Sequence, residues 1–279
     1  MKINIVDAKS IVTKSNIPGI DYVINPYTGC THSCIYCYAE FMKRFTDHGG
    51  EDWGSFLDVK LYNWKKIKPE KYNGKSILFS SVTDPYIPLE IKYKNTRTIL
   101  EHLIGTTAEI SILTKSKFVT RDIDLFRQFE NIEVGISISN MDESLSRKLE
   151  PVASKSLDRL KALKEVHESG IATYVFVSPI FPKITDYKQI IEYSKGFADR
   201  FSFENFNYRP HNVPRIYKFV EETHPELLSY YKELRKNPSL WDPIEEDITH
   251  FCEDYNLKFR VAFHHGGFSK KKKKKTNNS

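Results

Sequence analysis

Short apolar runs rich in β-branched residues alternate along this chain with stretches whose apolar positions recur at helical spacing. The runs predict strands over 21–25, 76–82, 109–114, 132–138, 171–178 and 200–205, with a seventh candidate over 258–263. The stretches between them predict helices over 35–45, 93–104, 121–129, 156–169 and 186–196. The clearest is 156–169, where Leu157, Leu160, Leu163, Lys164 and Val166 follow the helical period and Gly170 supplies the stop. Such alternation implies a mostly parallel sheet with right-handed crossovers. Six units are too few to close an eight-unit barrel. The expected fold class is therefore α/β, an open partial (β/α)6 barrel with ligands over the C-terminal ends of its strands. From 211 to 256 the pattern turns helical, punctuated by Pro214, Pro225, Pro238 and Pro243, and reads as a cap. The expected organisation is an N-terminal extension over 1–20 and the barrel over 21–210. A cap with the last strand follows over 211–268, then a tail over 269–279.

At 279 residues, 40% of them apolar, the chain can bury one large α/β core. No apolar run approaches the ~18 residues of a membrane span, and the first residues lack the apolar core of a signal peptide. A cytoplasmic monomer with no membrane partner is expected. The net charge of +6 hints at nucleic acid, but Lys270 to Lys275 are six consecutive lysines, and without them 36 basic residues face 36 acidic ones. The tail is expected to be disordered, either as a solvated end or as an arm for phosphate polymers.

Three of the four cysteines fall in Asn25-Pro26-Tyr27-Thr28-Gly29-Cys30-Thr31-His32-Ser33-Cys34-Ile35-Tyr36-Cys37-Tyr38. This clustering argues for metal ligation rather than a secreted disulfide framework. The spacing Cys-x3-Cys-x2-Cys puts three thiolates on one tight loop. They can hold three irons of a cubane cluster and leave the fourth open to an amine and a carboxylate. Tyr36 can pack beside such a cluster and an adenine. The competing reading is zinc, with His32 or a remote residue as fourth ligand, in a non-enzymatic nucleic-acid-binding module. Zinc sites usually pair two ligand hooks, however, and no second hook is present.

The cysteine motif resembles the radical S-adenosylmethionine (SAM) superfamily. Asn25-Pro26-Tyr27-x-Gly29-Cys30 through Cys37-Tyr38-Ala39, with Thr83-Asp84-Pro85-Tyr86-x-Pro88-x-Glu90, looks like its spore photoproduct lyase-like branch. Leu113-Thr114-Lys115-Ser116, Gly135-Ile136-Ser137-Ile138, Arg147-x2-Glu150-Pro151 and Ser178-Pro179-Ile180-x-Pro182 extend the likeness over about residues 22 to 210. The resemblance implies a radical SAM barrel and a [4Fe–4S] cluster on Cys30, Cys34 and Cys37. A reductant such as flavodoxin or ferredoxin would feed it electrons. SAM would be cleaved to methionine and a 5′-deoxyadenosyl radical that takes hydrogen from a substrate.

Thr83 and Asp84 are then candidates for the methionine amine, and Lys115 for the carboxylate. Ser137 is a further SAM contact by resemblance, and Arg147 and Glu150 would hold each other or the ribose. Asp84-Pro85 also reads as a simple turn and Lys115 as a solvated strand-end charge. The substrate pocket is expected near Tyr86, Asn207, Tyr208, Arg209 and His211, with His264 and His265 possible neighbours at the barrel end. Nucleic acid, as a lesion or modified base, and a small molecule or peptide both stay open as substrates. One departure is chemical: spore photoproduct lyase carries a hydrogen-donor cysteine where this chain has Ser80-Ser81. Cys252 is expected to be a packing cysteine.

Overall fold

The computed structural model describes residues 1–263, so the lysine tail, His264 and His265 lie outside the described residues. The strands are β1 (Lys2–Asp7), β2 (Val12–Lys14), β3 (Tyr22–Ile24), β4 (Tyr27–Thr28), β5 (Phe56–Leu61), β6 (Ser76–Phe79), β7 (Glu109–Thr114), β8 (Ile132–Ile138), β9 (Ala172–Ile180), β10 (Arg200–Asn205) and β11 (Phe259–Ala262). Eight of them form one sheet in the order β11-β10-β9-β8-β7-β6-β3-β2. Every pairing in it is parallel except β2 with β3. Among the described residues the sheet has two edges, β2 and β11, so the barrel is open, and the seventh candidate strand over 258–263 is present as β11.

Residues 1–20, expected as an extension, instead supply two strands. β2 extends the main sheet, and β1 joins β5 and β4 in a second sheet of three strands. The strand expected over 76–82 stops at Phe79, because Ser80 takes a left-handed conformation (φ 67°) that turns the chain.

The helices are α1 (Glu90–Tyr93), α2 (Asn95–Leu103), α3 (Ile123–Phe126), α4 (Glu143–Leu149), α5 (Ser156–Glu168), α6 (Tyr187–Ser194), α7 (Val213–Thr223), α8 (Leu228–Leu234) and α9 (Asp242–Asp254). Three expectations need correction. The helix over 35–45 is only a 3-10 helix at Ala39–Phe45, because the cysteines need turns before it. Lys94, at φ 55°, splits the helix over 93–104 into α1 and α2. A 3-10 helix over Lys117–Asp122 takes the first two residues of 121–129, and the α-helix there covers only Ile123–Phe126. The four prolines of the C-terminal region open helical segments rather than break them, since each sits in a first turn whose N–H needs no partner. Among the described residues no helix is long and apolar enough to cross a membrane.

Strand alternation assigns the two faces of the sheet. Ile77, Phe79, Ile110, Ile112, Val134, Ile136, Val175, Val177, Phe201 and Phe203 are almost completely buried. The opposite face carries Leu78, Ser111, Leu113, Glu133, Phe176, Ser202 and Glu204, all only partly buried, and faces the interior of the open barrel. Its N-terminal end is plugged. Tyr174 hydrogen-bonds Ser111 (3.2 Å) and lies under the Arg200 guanidinium, 3.9 Å from the ring centre. Arg200 in turn grips Glu133 through two bonds (3.0 and 2.5 Å). Gly135 is required there, because a Cβ would stand 2.1 Å from the Tyr174 ring. With that end filled, the interior opens at the C-terminal ends of the strands.

Candidate active site

The cysteine loop leaves β4 at Gly29, whose φ of 87° and close approach to the Phe56 carbonyl (2.7 Å from an added Cβ) exclude a side chain. Two turns follow, with Ser33 N–H donating to the Cys30 carbonyl and Cys37 N–H to that of Cys34. Side chains from other elements then take the loop's carbonyls. Thr83 donates to Gly29 (2.6 Å), Arg215 to Ile35 (3.1 Å) and Asn212 to Tyr36 (2.9 Å), while His211 Nε2 lies 3.1 Å from the Cys37 carbonyl. Tyr38 donates to the Ser81 carbonyl beyond β6. The loop is therefore clamped from the strand ends on one side and from the start of α7 on the other.

All three loop thiols are free; Cys30 and Cys34 are buried and Cys37 is partly so. Burial pushes the Cys30 thiol well above its ordinary range, with Asp84, Cys34 and Cys37 adding to the rise. Burial likewise raises Cys34 to about 12 and raises Cys37, with Lys115 opposing at both. These thiols hold their protons until a cation displaces them. Among the described residues no three His, Cys, Asp or Glu side chains form a single-ion site. A cubane takes one thiolate per iron and needs them further apart than a single ion does. The Trp53 indole N–H supports this fit. It is buried without a geometrically formed hydrogen bond, yet lies close enough to Cys37 to oppose the rise in that thiol's pKa. A thiolate there would receive the N–H.

Lys115 ends β7 beside this loop, its ammonium 5.8 Å from the centre of the Tyr36 ring. Burial pulls its pKa down, but its neighbours Cys34 and Glu150 outweigh that and hold it above the ordinary lysine value. It stays cationic at neutral pH, and among the described residues it has no carboxylate within 4 Å.

Several candidates also hold the scaffold. Asp84 accepts from Tyr86 N–H (2.8 Å), the Thr114 hydroxyl (2.6 Å) and Lys115 N–H (2.8 Å), so its carboxylate fixes the end of β7. His32 turns Nδ1 toward it at 3.4 Å, but burial lowers the imidazole pKa and keeps the ring neutral. Arg147 and Glu150 do not hold each other. Arg147 is exposed and caps the carbonyls of Pro151 (2.7 Å) and Ala153 (3.3 Å). Glu150 is fully buried, binds Arg159 at 2.5 Å and accepts from Tyr36 and Ser139. Ser137 donates to the Ser178 carbonyl (3.1 Å). Tyr86 is a core residue whose hydroxyl bonds Asp122 (2.9 Å), so it does not line a substrate pocket.

Asn207, Arg209 and His211 do surround the start of the C-terminal helical region. Asn212 binds the Asn207 carbonyl and the Arg209 N–H (both 2.9 Å), and Arg209 keeps a buried Nε–H without a partner. Cys252 is fully buried on α9, which is tied to α6 by bonds from Tyr187 and Lys188 to Asp247. Arg159 was missed. It is fully buried and spans Ser154 O (2.6 Å), Ser137 O (2.8 Å) and Glu150. Its signal lay in the helical period: Arg159, Leu163 and Val166 share one buried stripe, whereas Leu157 faces solvent.

The surface concavities of about 530 and 420 Å³, around Arg97–Arg127 and around Asn4–Asp58, are separate from the barrel interior. The chemistry of the thiol loop makes the strand ends the site.

Comparison with known proteins agrees. The family model described as the Radical SAM superfamily matches residues 24–193. An uncharacterised protein of Methanocaldococcus jannaschii is 42% identical over 222 residues, 79% of this chain and 83% of that protein. A radical SAM Nalpha-GlyT isomerase of a Pseudomonas phage is 23% identical over 205 residues, 69% of this chain and 42% of its own. A spore photoproduct lyase mutant with bound AdoMet and dinucleoside spore photoproduct superposes with TM-score 0.65 at 16% identity, covering 93% of this chain and 81% of that one. By fold, thiol loop and sequence, this chain is a radical SAM enzyme and belongs to the radical SAM superfamily.

Proposed function

We propose that Cys30, Cys34 and Cys37 hold a [4Fe–4S] cluster at which SAM is reductively cleaved, and that the resulting radical takes hydrogen from a nucleic-acid lesion or modified base. The observation that carries this reading is the juxtaposition of three neighbouring free thiols with a partly buried lysine that, among the described residues, has no carboxylate within 4 Å. Held by these three thiolates, such a cluster would supply the electron for cleavage of SAM to methionine and a 5′-deoxyadenosyl radical. The chain's own residues bind and orient. Lys115 receives the SAM carboxylate in a charge-assisted bond. Thr83 fixes the Gly29 carbonyl, and its oxygen can still accept from the methionine amine. Tyr36, held by Glu150 and edge-on to Phe181 (6.0 Å), forms a rigid wall.

Leu78, Leu113 and Phe176 give the cavity an apolar surface suited to the face of a base. Asn207, Arg209 and His211 stand at its rim as polar contacts. The photoproduct bound by the structural neighbour supports a nucleic-acid substrate. A flavodoxin or ferredoxin in the cytoplasm would supply the electron, and the enzyme would act as a monomer.

The test is anaerobic reconstitution. Iron and sulfide near four each per chain, with 5′-deoxyadenosine formed from SAM and dithionite, are expected; zinc with no cleavage would refute the reading. In the same assay Lys115→Met should weaken SAM binding about ten- to a hundredfold with iron content unchanged, since such a contact is worth roughly 1.5–3 kcal/mol. Unaltered affinity would remove Lys115 from the SAM site.

Thymine photoproduct repair by a thiol route is not expected. Ser80 has a buried, unpartnered hydroxyl at the end of β6, but its O–H bond is too strong to quench a carbon radical. Cys252 belongs to the α6–α9 helical layer and offers no substitute there. Incubation with a dinucleoside photoproduct should yield little unmodified thymine, and efficient turnover would show otherwise.

A further inference from the structure

We infer that the lysine-rich flank formed by residues 60–75 is a docking surface for a nucleic-acid strand, leading along the β3 side of the barrel to its mouth. This segment holds six lysines against one acid, Glu70. Outside the tail the chain is balanced in charge, so this is a local excess rather than a share of a basic whole.

The segment starts at the active-site end of the sheet. Lys60 Nζ donates to the Asn25 carbonyl (2.8 Å), and the Asn25 side chain accepts from Ser81 and Val82 N–H (3.0 and 3.1 Å) beyond β6. It ends at the opposite pole, where Asn73 accepts from Thr107 N–H (2.9 Å) ahead of β7 and Lys75 precedes β6. Between these ends, 3-10 helices at Trp64–Lys66 and Pro69–Tyr72 keep the chain close to the barrel wall and leave Lys65, Lys66, Lys68 and Lys71 exposed. Lys14 of β2 adds to the strip, being paired in register with Tyr22, whose ring meets Tyr72.

Two features select the partner. First, among the described residues Lys65, Lys66, Lys68 and Lys71 have no carboxylate within 4 Å. Several lysines on other faces do, as in Lys117–Asp158, Lys155–Glu143, Lys188–Asp247 and Lys195–Glu192, and no other stretch of the described chain sets so many unpaired lysines so close together in sequence. Unneutralised lysines in a row suit a row of phosphates, whose counterions are released on binding. Second, partly exposed aromatic rings are interleaved with them. Tyr62 packs edge-on to Trp64 (5.7 Å) and Tyr72 edge-on to Tyr22 (5.3 Å). Rings set among lysines offer stacking to bases, which an acidic protein surface would not use. The inference deepens the proposed substrate class and rests on it only for the delivery of a base to the cavity. Binding itself is measured separately.

The experiment is fluorescence anisotropy of reconstituted full-length protein with labelled single-stranded DNA, duplex DNA and RNA of one sequence, titrated over a range of salt. The combined variant Lys65→Gln, Lys66→Gln, Lys68→Gln and Lys71→Gln should bind at least about tenfold more weakly at low salt. The slope of log affinity against log salt should fall by roughly 3, as expected for four lost phosphate contacts. Changing Lys148, Lys161, Lys164 and Lys218 to Gln removes equal charge from other faces and should leave the slope unchanged. A third variant with Lys270–Lys275 changed to Gln separates the tail from the flank. Absence of binding by the unmodified chain, an equal loss in the remote-lysine variant, or a slope that falls only with the tail would each overturn the inference. 5′-Deoxyadenosine formation from SAM without substrate should be the same in all three variants. Its absence in the parent chain would strike the proposed chemistry and leave the docking surface standing.

Discussion

Replacing any one of Cys30, Cys34 or Cys37 by Ala is expected to reduce SAM cleavage to background and to lower the bound iron. The loop explains why no neighbour can compensate. Its turns and clamped carbonyls fix each thiol separately, and Cys252, the remaining cysteine, is buried between helices. A cluster held by three thiolates that loses one exposes a second iron and loses the site reserved for SAM. The thiols are also held protonated by burial, so assembly must displace protons. Reconstitution should therefore fall off as pH is lowered, in the parent chain as well. Cys252→Ala is the control and should keep both iron and cleavage. Retention of cleavage by all three loop variants would refute the assignment.

How much of this was legible beforehand depended on whether the information was local. β7, β8 and β10 have the bounds expected from the sequence, because β7 and β8 are β-branched runs and β10 alternates buried phenylalanines with half-buried polar residues. The second sheet was not legible. β1 alternates exposed and half-buried residues, with Ile5 exposed, and gains its place only by pairing with β5, some fifty residues away. The three cysteines were legible because their spacing is itself the site. Asp84 and Glu150 were misjudged for one shared reason. An acid at a strand end looks available in sequence, but here Thr114 and two backbone N–H groups bind Asp84, while Arg159, Tyr36 and Ser139 bind Glu150. Arg159 could have been found by asking why a charge occupies the apolar stripe of α5.

That arginine yields the largest expected effect on stability. Arg159→Met should destabilise the protein by about 3–5 kcal/mol, because it leaves the Glu150 carboxylate buried without its counter-ion. Both side chains are essentially inaccessible, so water cannot replace the lost partner. The same change frees the Ser137 and Ser154 carbonyls and loosens the grip of Glu150 on Tyr36, so SAM binding should weaken even where the fold survives.

The pH dependence distinguishes this from a simple packing defect. Burial alone would raise the Glu150 pKa, but Arg159 and then Lys115 outweigh it and hold the carboxyl below its ordinary range. A depressed folded pKa gives stability that is complete above the unfolded value of about 4.3 and fades as pH falls through the folded one. Without Arg159 the balance reverses, burial raises the pKa, and Glu150 takes up a proton on folding at mildly acid pH. The stability gap between parent and variant should therefore be widest near neutrality and narrow toward pH 4. Glu150→Gln added to Arg159→Met should recover part of the loss by removing the unpaired charge. Denaturant titrations of the three proteins at several pH values would test this. A gap below about 1 kcal/mol, or one that does not change with pH, would mean that the buried pair does not organise the site.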